Sequence, residues 1–190
     1  MKTIIKKGVL LNNYIVVSGI PRSGTSMMMQ VLGAGGLDLI YDEIKKPDEF
    51  NKMGYFEINE FNSKRVLSDI KSGFLKGGVF KVPFPNIKIR KDLIEQNNVC
   101  CIFMQRKAID QYQSILKTNR RLVPSEFSIK FANLRKDYDL FIQTLGNRNI
   151  IKVDYDKVCN DPHLELIKIK HLVKDFEKAK EAVEISTQKR

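Results

Sequence analysis

Five consecutive residues, Arg22-Ser23-Gly24-Thr25-Ser26, combine a fixed positive charge, three hydroxyls and a glycine. Such a run can hold an oxyanion: hydroxyls and backbone amides donate hydrogen bonds, and a guanidinium adds a rigid fork of N–H groups. The elements around it must aim it. Tyr14-Ile15-Val16-Val17-Ser18 is a short apolar run of β-branched and aromatic residues and predicts a fully buried strand. Gly19 to Gly24 is a turn whose glycines permit unusual backbone angles. Thr25 to Leu32 reads as a helix with hydroxyl residues at its start. A strand, a glycine loop and a helix N-terminus make an anion site, because the first amides point outward and the helix dipole adds partial positive charge.

Gly19 and Gly24 have the spacing of the nucleotide P-loop, G-x-x-x-x-G-K-[ST], but Thr25 stands where the lysine belongs. A kinase or ATPase directs that lysine at its β- and γ-phosphates; here the fixed charge lies earlier, at Arg22. The stretch PRSGTS resembles the 5′-phosphosulfate loop of the sulfotransferases that use 3′-phosphoadenosine 5′-phosphosulfate (PAPS), which carry Pro-Lys/Arg-Ser-Gly-Thr-[ST] there. Asn51 to Glu57, NKMGYFE, is similar to the N-x-x-G-Y-[FW]-E signature of bacterial-type sulfotransferase relatives. Phe103 to Lys117, FMQRKAIDQYQSILK, resembles the family's 3′-phosphate element, in which an arginine leaves a strand and a serine follows eight residues later on the next helix. The pair here is Arg106 and Ser114. Ile150 to Pro162, IIKVDYDKVCNDP, resembles the family's late strand and its Tyr-Asp/Glu turn. The resemblance runs from about Tyr14 to Phe176.

The resemblance implies a P-loop NTPase-like fold and a sulfotransferase that moves a sulfuryl group from PAPS to a hydroxyl or amine acceptor. It implies that Ser23, Gly24, Thr25 and Ser26 cradle the 5′-phosphosulfate, that Arg22 lies against the sulfuryl oxygens, and that Arg106 and Ser114 hold the 3′-phosphate. Lys81, at the end of the second core strand, would stabilise the bridging oxygen of the departing group; the rival reading is that it merely pairs with a nearby acid. One departure matters. Cytosolic sulfotransferases carry Lys-Thr-His-Leu-Pro there, with the histidine as base, whereas this chain has Lys81-Val82-Pro83-Phe84-Pro85. The only histidines, His163 and His171, lie near the C-terminus and read as surface residues; a metal site there would need more ligands than the sequence offers nearby, and no metal is implied. A general base then falls to a carboxylate, or the acceptor reacts without one. Glu57 is the candidate, because some sulfotransferases use glutamate, with Asp42, Glu43 and Glu60 next. The competing reading makes Glu57 a structural carboxylate at a helix start, where the dipole favours it.

The rest of the chain must support these stretches. At 190 residues it is long enough to form one domain, 1–190, that buries roughly 70% of its unfolded surface. Hydrophobic residues make up 43% and charged residues 29%, which excludes a disordered chain. The net charge of +11 favours an anionic ligand, although most of the basic residues are lysines spread along the sequence. Thr3–Ile5 and Val9–Leu11 suggest a hairpin feeding the first core strand. Lys6-Lys7-Gly8 and Asn12-Asn13 interrupt the apolar runs before signal-peptide or membrane length. Leu37 to Phe56 reads as a long connection, Ile58 to Ser72 as a helix closed by Gly73, and Val79 to Val82 as a strand. Arg90 to Asn97 reads as helical, Val99 to Met104 as a buried strand, and Ala108 to about Lys117 as a helix. From Pro124 a long helix carries Phe127, Phe131, Leu134, Tyr138, Phe141 and Leu145 at helical spacing, a core stripe, and Gly146 stops it. Ile150 to Val153 is a further strand. Asp161-Pro162 caps a last helix with Leu164, Ile167, Leu172 and Val173, after which the charged tail from Lys174 frays.

Strands alternating with helices predict an α/β fold, a three-layer α/β/α arrangement with a central parallel sheet. Ligands in such folds bind beyond the carboxyl ends of the strands, where the PRSGTS loop, Lys81 and Gln105-Arg106 can converge. Three cysteines at unrelated positions fit reduced thiols and a cytoplasmic protein, with no membrane partner. The chain is short for the sulfotransferase family, which implies an open pocket or one completed by a second copy in a homo-oligomer. Its stretches Leu37–Phe56 and Thr118–Tyr138 would wall an acceptor that the sequence does not identify. Two other classes stay open: a P-loop nucleotide kinase or NTPase with Asp154 as a magnesium ligand, and a basic nucleic-acid-binding domain, which charge alone supports.

Overall fold

The structure is a computed structural model and describes residues 14–42, 48, 54–58, 68, 72, 77–89, 91–95, 99–119, 122–146 and 149–188. Its frame is a five-stranded parallel sheet. Strand β1 is Tyr14–Ser18, β2 Leu39–Ile40, β3 Gly78–Lys81, β4 Val99–Gln105 and β5 Ile150–Asp154. They lie side by side in the order β2-β3-β1-β4-β5. β1 is therefore central. The chain leaves it toward one edge, returns at β3, and crosses to the other side at β4. The crevice at the carboxyl end of β1 is a topological switch point, where open α/β sheets bind ligands.

Both faces of the sheet are covered, which is why β1 and β4 read as continuous apolar runs. Ile15, Val17, Val79, Ile102 and Met104 face helix α1, Thr25–Ala34, and the C-terminal elements. Tyr14, Val16, Phe80 and Phe103 face the other layer. That layer comprises two short helices, α2 (Asn86–Ile89) and α3 (Lys91–Ile94), and the long helix α5 (Pro124–Thr144). Cys100 and Cys101 point to opposite faces, as the period of a strand requires. On α5 the aromatic stripe is core: Phe131, Tyr138, Phe141 and Leu145 are buried and Phe127 and Leu134 half-buried, with the Phe84, Tyr138, Phe141 and Phe103 rings packed together. Gly146, at φ +64°, follows the end of α5 in the left-handed conformation that terminates helices. Helix α4, Ala108–Thr118, connects β4 to this layer.

Three expectations need correction. Leu37 to Phe56 is not wholly a connection, because Leu39–Ile40 pairs in parallel with Val79–Phe80 as an edge strand too short to announce itself. The region from Asp161 is not one helix. It divides into α7, Pro162–Leu166, a tight 3-10 turn at Ile167–Ile169, and a separate helix α8, Phe176–Gln188, preceded at β5 by a short helix α6, Tyr155–Asn160. The tail from Lys174 therefore does not fray. Asp175 starts α8 by accepting the Lys178 amide at 3.0 Å, and these bonds hold its carboxyl below the usual carboxylate range. The amides of Lys174 and Asp175 are tied to the Gly35 carbonyl, and Ala179 and Val183 are buried in the core formed with α1. The N-terminal hairpin lies outside the described residues, and so does nearly all of the helix expected at Ile58–Ser72. No helix among the described residues is long and apolar enough to cross a membrane.

Because Val183 is 1% exposed against α1, Val183→Ala should lower the unfolding free energy by about 2 kcal/mol in urea titration with an unchanged slope. A frayed tail would show no change.

Candidate active site

The loop after β1 is shaped by contacts that leave no room for ordinary side chains. A Cβ on Gly19 would fall 2.2 Å from the Ser23 hydroxyl, and one on Gly24 would fall 2.3 Å from the Tyr155 ring. The Ser23 amide closes the turn on the Ile20 carbonyl at 3.1 Å. Arg22 at φ +68° and Gly24 at φ +97° are both left-handed; glycine takes that conformation freely, whereas arginine is strained there. Helix α1 starts with Gly24 as its cap, with no side chain capping it and no acid in its first turn. Its first intrahelical bond runs from the Met28 amide to the Gly24 carbonyl at 3.0 Å, so the amides of Thr25 to Met27 lie ahead of the ladder. The Ser23 hydroxyl, 1% exposed, has no hydrogen-bond partner among the described residues. An uncapped helix end, a left-handed turn and an unsatisfied buried hydroxyl fit an oxyanion.

Arg22, Arg106 and Ser114, separated by up to 92 positions, come together. The Arg22 Nε donates to Ser114 Oγ at 2.9 Å. Burial, and secondarily the nearby Arg106, push the Arg22 guanidinium down from its ordinary value, with Tyr55 and Asp48 opposing; arginine remains charged. Arg106 donates Nη1 to the Arg22 carbonyl at 3.0 Å and lies over the Tyr155 ring at 4.6 Å. Its buried Nε has no hydrogen bond among the described residues and stands 3.9 Å from Asp156 Oδ1. The structure thus brings the two expected anion elements side by side, with Arg106 also buttressing the loop.

A second cluster adjoins the same helix end. Lys81, 4% exposed, directs its ammonium to Ser26 Oγ at 3.3 Å, to Glu57 Oε1 at 3.2 Å and to the Tyr55 carbonyl. A buried ammonium is stable only with such partners. Ser26 Oγ also donates to the Tyr55 carbonyl at 3.3 Å. The Tyr55 hydroxyl donates to Asp48 at 2.7 Å, and burial together with that bond pushes the phenol up to about 12. Glu57 stays 32% exposed, open to solvent on one side. The Asp42 amide donates to the Glu57 carbonyl at 3.1 Å, whereas Glu43 and Glu60 lie outside the described residues. Thr25 is buried at the helix start, its methyl group 3.1 Å from where a Gly19 Cβ would lie. Pro83 begins a helical turn by accepting the Ile87 amide, so no titratable side chain stands at that position, and His163 and His171 are exposed.

Sequence reasoning missed Gln111, Arg135, Tyr155 and Asp156. Tyr155 is the surface that requires glycine at position 24, and the Tyr-Asp pair after β5 was visible as a motif without a role. Gln111 and Arg135 gave no signal. Asp154, the residue that left a magnesium site open, uses its Oδ1 to cap α6 through the Asp156 and Lys157 amides at 2.9 and 3.1 Å.

No protein-family model and no curated protein sequence matches the chain. Among solved structures the fold is similar to that of retinol dehydratase in complex with androsterone and the inactive cofactor PAP, at 13% identity and a TM-score of 0.56. That match covers 93% of this chain and 64% of the other, so the chain spans less than two thirds of that protein's length. An unliganded sugar kinase from Janibacter sp. HTCC2649 matches at 16% identity over 94% of this chain and 98% of that one, with a TM-score of 0.44, too remote to build on. The chain is an α/β protein of P-loop-like fold.

Gly24→Ala should destabilise by at least about 1–3 kcal/mol, from left-handed strain and the Tyr155 clash together. Thermal and urea unfolding both read this, and a fully stable variant would contradict the loop geometry.

Proposed function

We propose that the protein is a sulfotransferase that moves a sulfuryl group from PAPS to a hydroxyl or amine acceptor. The observation that carries this reading is the convergence of Arg22, Arg106 and Ser114 beside the uncapped start of α1 in a loop without the P-loop lysine. The likeness of the fold to a protein whose structure holds PAP, adenosine 3′,5′-bisphosphate, supports it. A kinase reading loses its best support with Asp154 engaged as a helix cap. A cytoplasmic setting accords with three cysteines that are all unpaired.

Bound PAPS would supply an activated sulfuryl group. In this reading Arg22, the Ser23 hydroxyl and the amides of Gly24, Thr25 and Ser26 hold the phosphosulfate oxygens, the Ser23 amide being engaged by the Ile20 carbonyl, and Arg106 and Ser114 hold the 3′-phosphate. Lys81, linked to the helix start through Ser26, offsets the negative charge that develops on the leaving oxygen. Glu57 takes the proton from the attacking acceptor. Positioning and electrostatics provide most of the acceleration, as in phosphoryl transfer.

Adenosine 3′,5′-bisphosphate should raise the melting temperature without magnesium, since a ligand that binds only the native state stabilises it, and ATP should do less. Stabilisation by magnesium-ATP and none by the bisphosphate would sink the sulfotransferase reading. For the base, Glu57→Gln should keep bisphosphate affinity nearly unchanged while turnover with an acceptor falls by about 10²–10⁴-fold. Normal turnover would place the base elsewhere, and lost affinity or early melting would make Glu57 structural.

A further inference from the structure

One buried polar residue outside the anion loop, Gln111, grips its backbone, and the half-buried Arg135 holds Gln111 in turn. Gln111, on α4 and 1% exposed, donates Nε2 to the Pro21 carbonyl at 2.9 Å and to the Ile20 carbonyl at 3.3 Å. Its Oε1 accepts Arg135 Nη1 at 2.6 Å. The same Nη1 donates to the Arg106 carbonyl at 3.0 Å, and Arg106 Nη1 completes the circuit at the Arg22 carbonyl. Arg135 comes from α5, where its guanidinium lies 6.0 Å from the Phe131 ring.

We infer that Gln111 and Arg135 are positioning residues for the anion loop, acting as one brace that sets the direction of its amides. Carbonyl and N–H point opposite ways across a planar peptide. Holding the Pro21 carbonyl against α4 therefore turns the Arg22 amide away from α4, and holding the Ile20 carbonyl, which also takes the Ser23 amide, fixes the turn that leads into the helix start. Glutamine suits the position because its two ends do different work. The amide nitrogen donates to carbonyls, and the oxygen accepts from a guanidinium, which can only donate. Arg135 thus decides which end of Gln111 faces the loop. Neither residue is assigned contact with a ligand. The inference rests on the sulfotransferase reading only for the identity of the anion.

The test compares Gln111→Leu, Arg135→Met, the double variant and Arg135→Lys with the wild-type chain. Amide hydrogen exchange at Ser23 and Gly24, measured without ligand, should quicken in Gln111→Leu while β1 amides keep their protection. The Kd for adenosine 3′,5′-bisphosphate should rise about tenfold. Because the pair acts as a unit, the double variant should lose no more affinity than Gln111→Leu alone. Arg135→Lys, which keeps the charge and a donor, should recover part of what Arg135→Met loses. If Gln111→Leu fails to fold, the two Arg135 variants carry the exchange and affinity comparison. Additive losses would reduce the two residues to separate structural contacts and overturn the brace. Unchanged loop exchange overturns it as well, whether or not affinity falls. Quickened exchange in a protein whose wild-type form does not bind the bisphosphate leaves the brace standing and removes the sulfotransferase reading.

Discussion

A loop can present its amides to an anion only if its carbonyls are bound elsewhere, because every buried backbone polar group needs a partner. The turn after β1 meets that constraint three times. The Ile20 carbonyl takes the Ser23 amide and Gln111, the Pro21 carbonyl takes Gln111, and the Arg22 carbonyl takes Arg106. Left-handed strain at Arg22 costs on the order of 1–3 kcal/mol and persists only where the surroundings fix it. The surroundings here are β4, β5 and the helices that follow them, so the central position of β1 in the sheet is what lets the loop be held from behind.

The same logic governs Lys81. An ammonium removed from water must be compensated, and three groups that compensate it come from two separate stretches: Ser26 from the helix start, Tyr55 and Glu57 from the segment 54–58. The pairing therefore also fastens that segment to the sheet. On the opposite side Arg22 is fastened to Ser114 of α4. The start of α1 is left between two cations, each with its own restraint, which raises the local positive potential without asking either side chain to wander.

Local pattern made much of this legible. Strands β1 and β4 were readable because apolar runs bounded by turn residues mean one thing in a sheet buried on both faces. The loop was readable because glycine at positions 19 and 24 and arginine at 22 carry backbone and charge information on their own. Arg106 and Ser114 were readable only by resemblance, and their closeness to Arg22 depended on strand order, which no local signal encodes. Gln111 and Arg135 were opaque for a physical reason. A glutamine in a helix looks solvated, and only the tertiary structure shows it buried with every polar atom in use. Helix α8 was misjudged because its lysines and glutamates outweigh its few apolar residues in composition, though Ala179 and Val183, with Phe176 and Ala182 beside them, pack it into the core shared with α1.

Proline at position 83 sharpens what the proposed chemistry must do. The Val82 and Phe84 amides bond to the Val17 and Gly19 carbonyls of β1 and its turn, so the backbone is anchored on both sides of a ring that cannot carry a proton. Glu57, 3.2 Å from Lys81, is held by the very cation proposed for the leaving oxygen. In the proposed chemistry, negative charge growing on the leaving oxygen would draw Lys81 toward it and loosen its hold on Glu57 as the acceptor gives up its proton. One cation shared between base and leaving group would thereby couple the two charge movements, a coupling that a histidine at position 83 would make unnecessary.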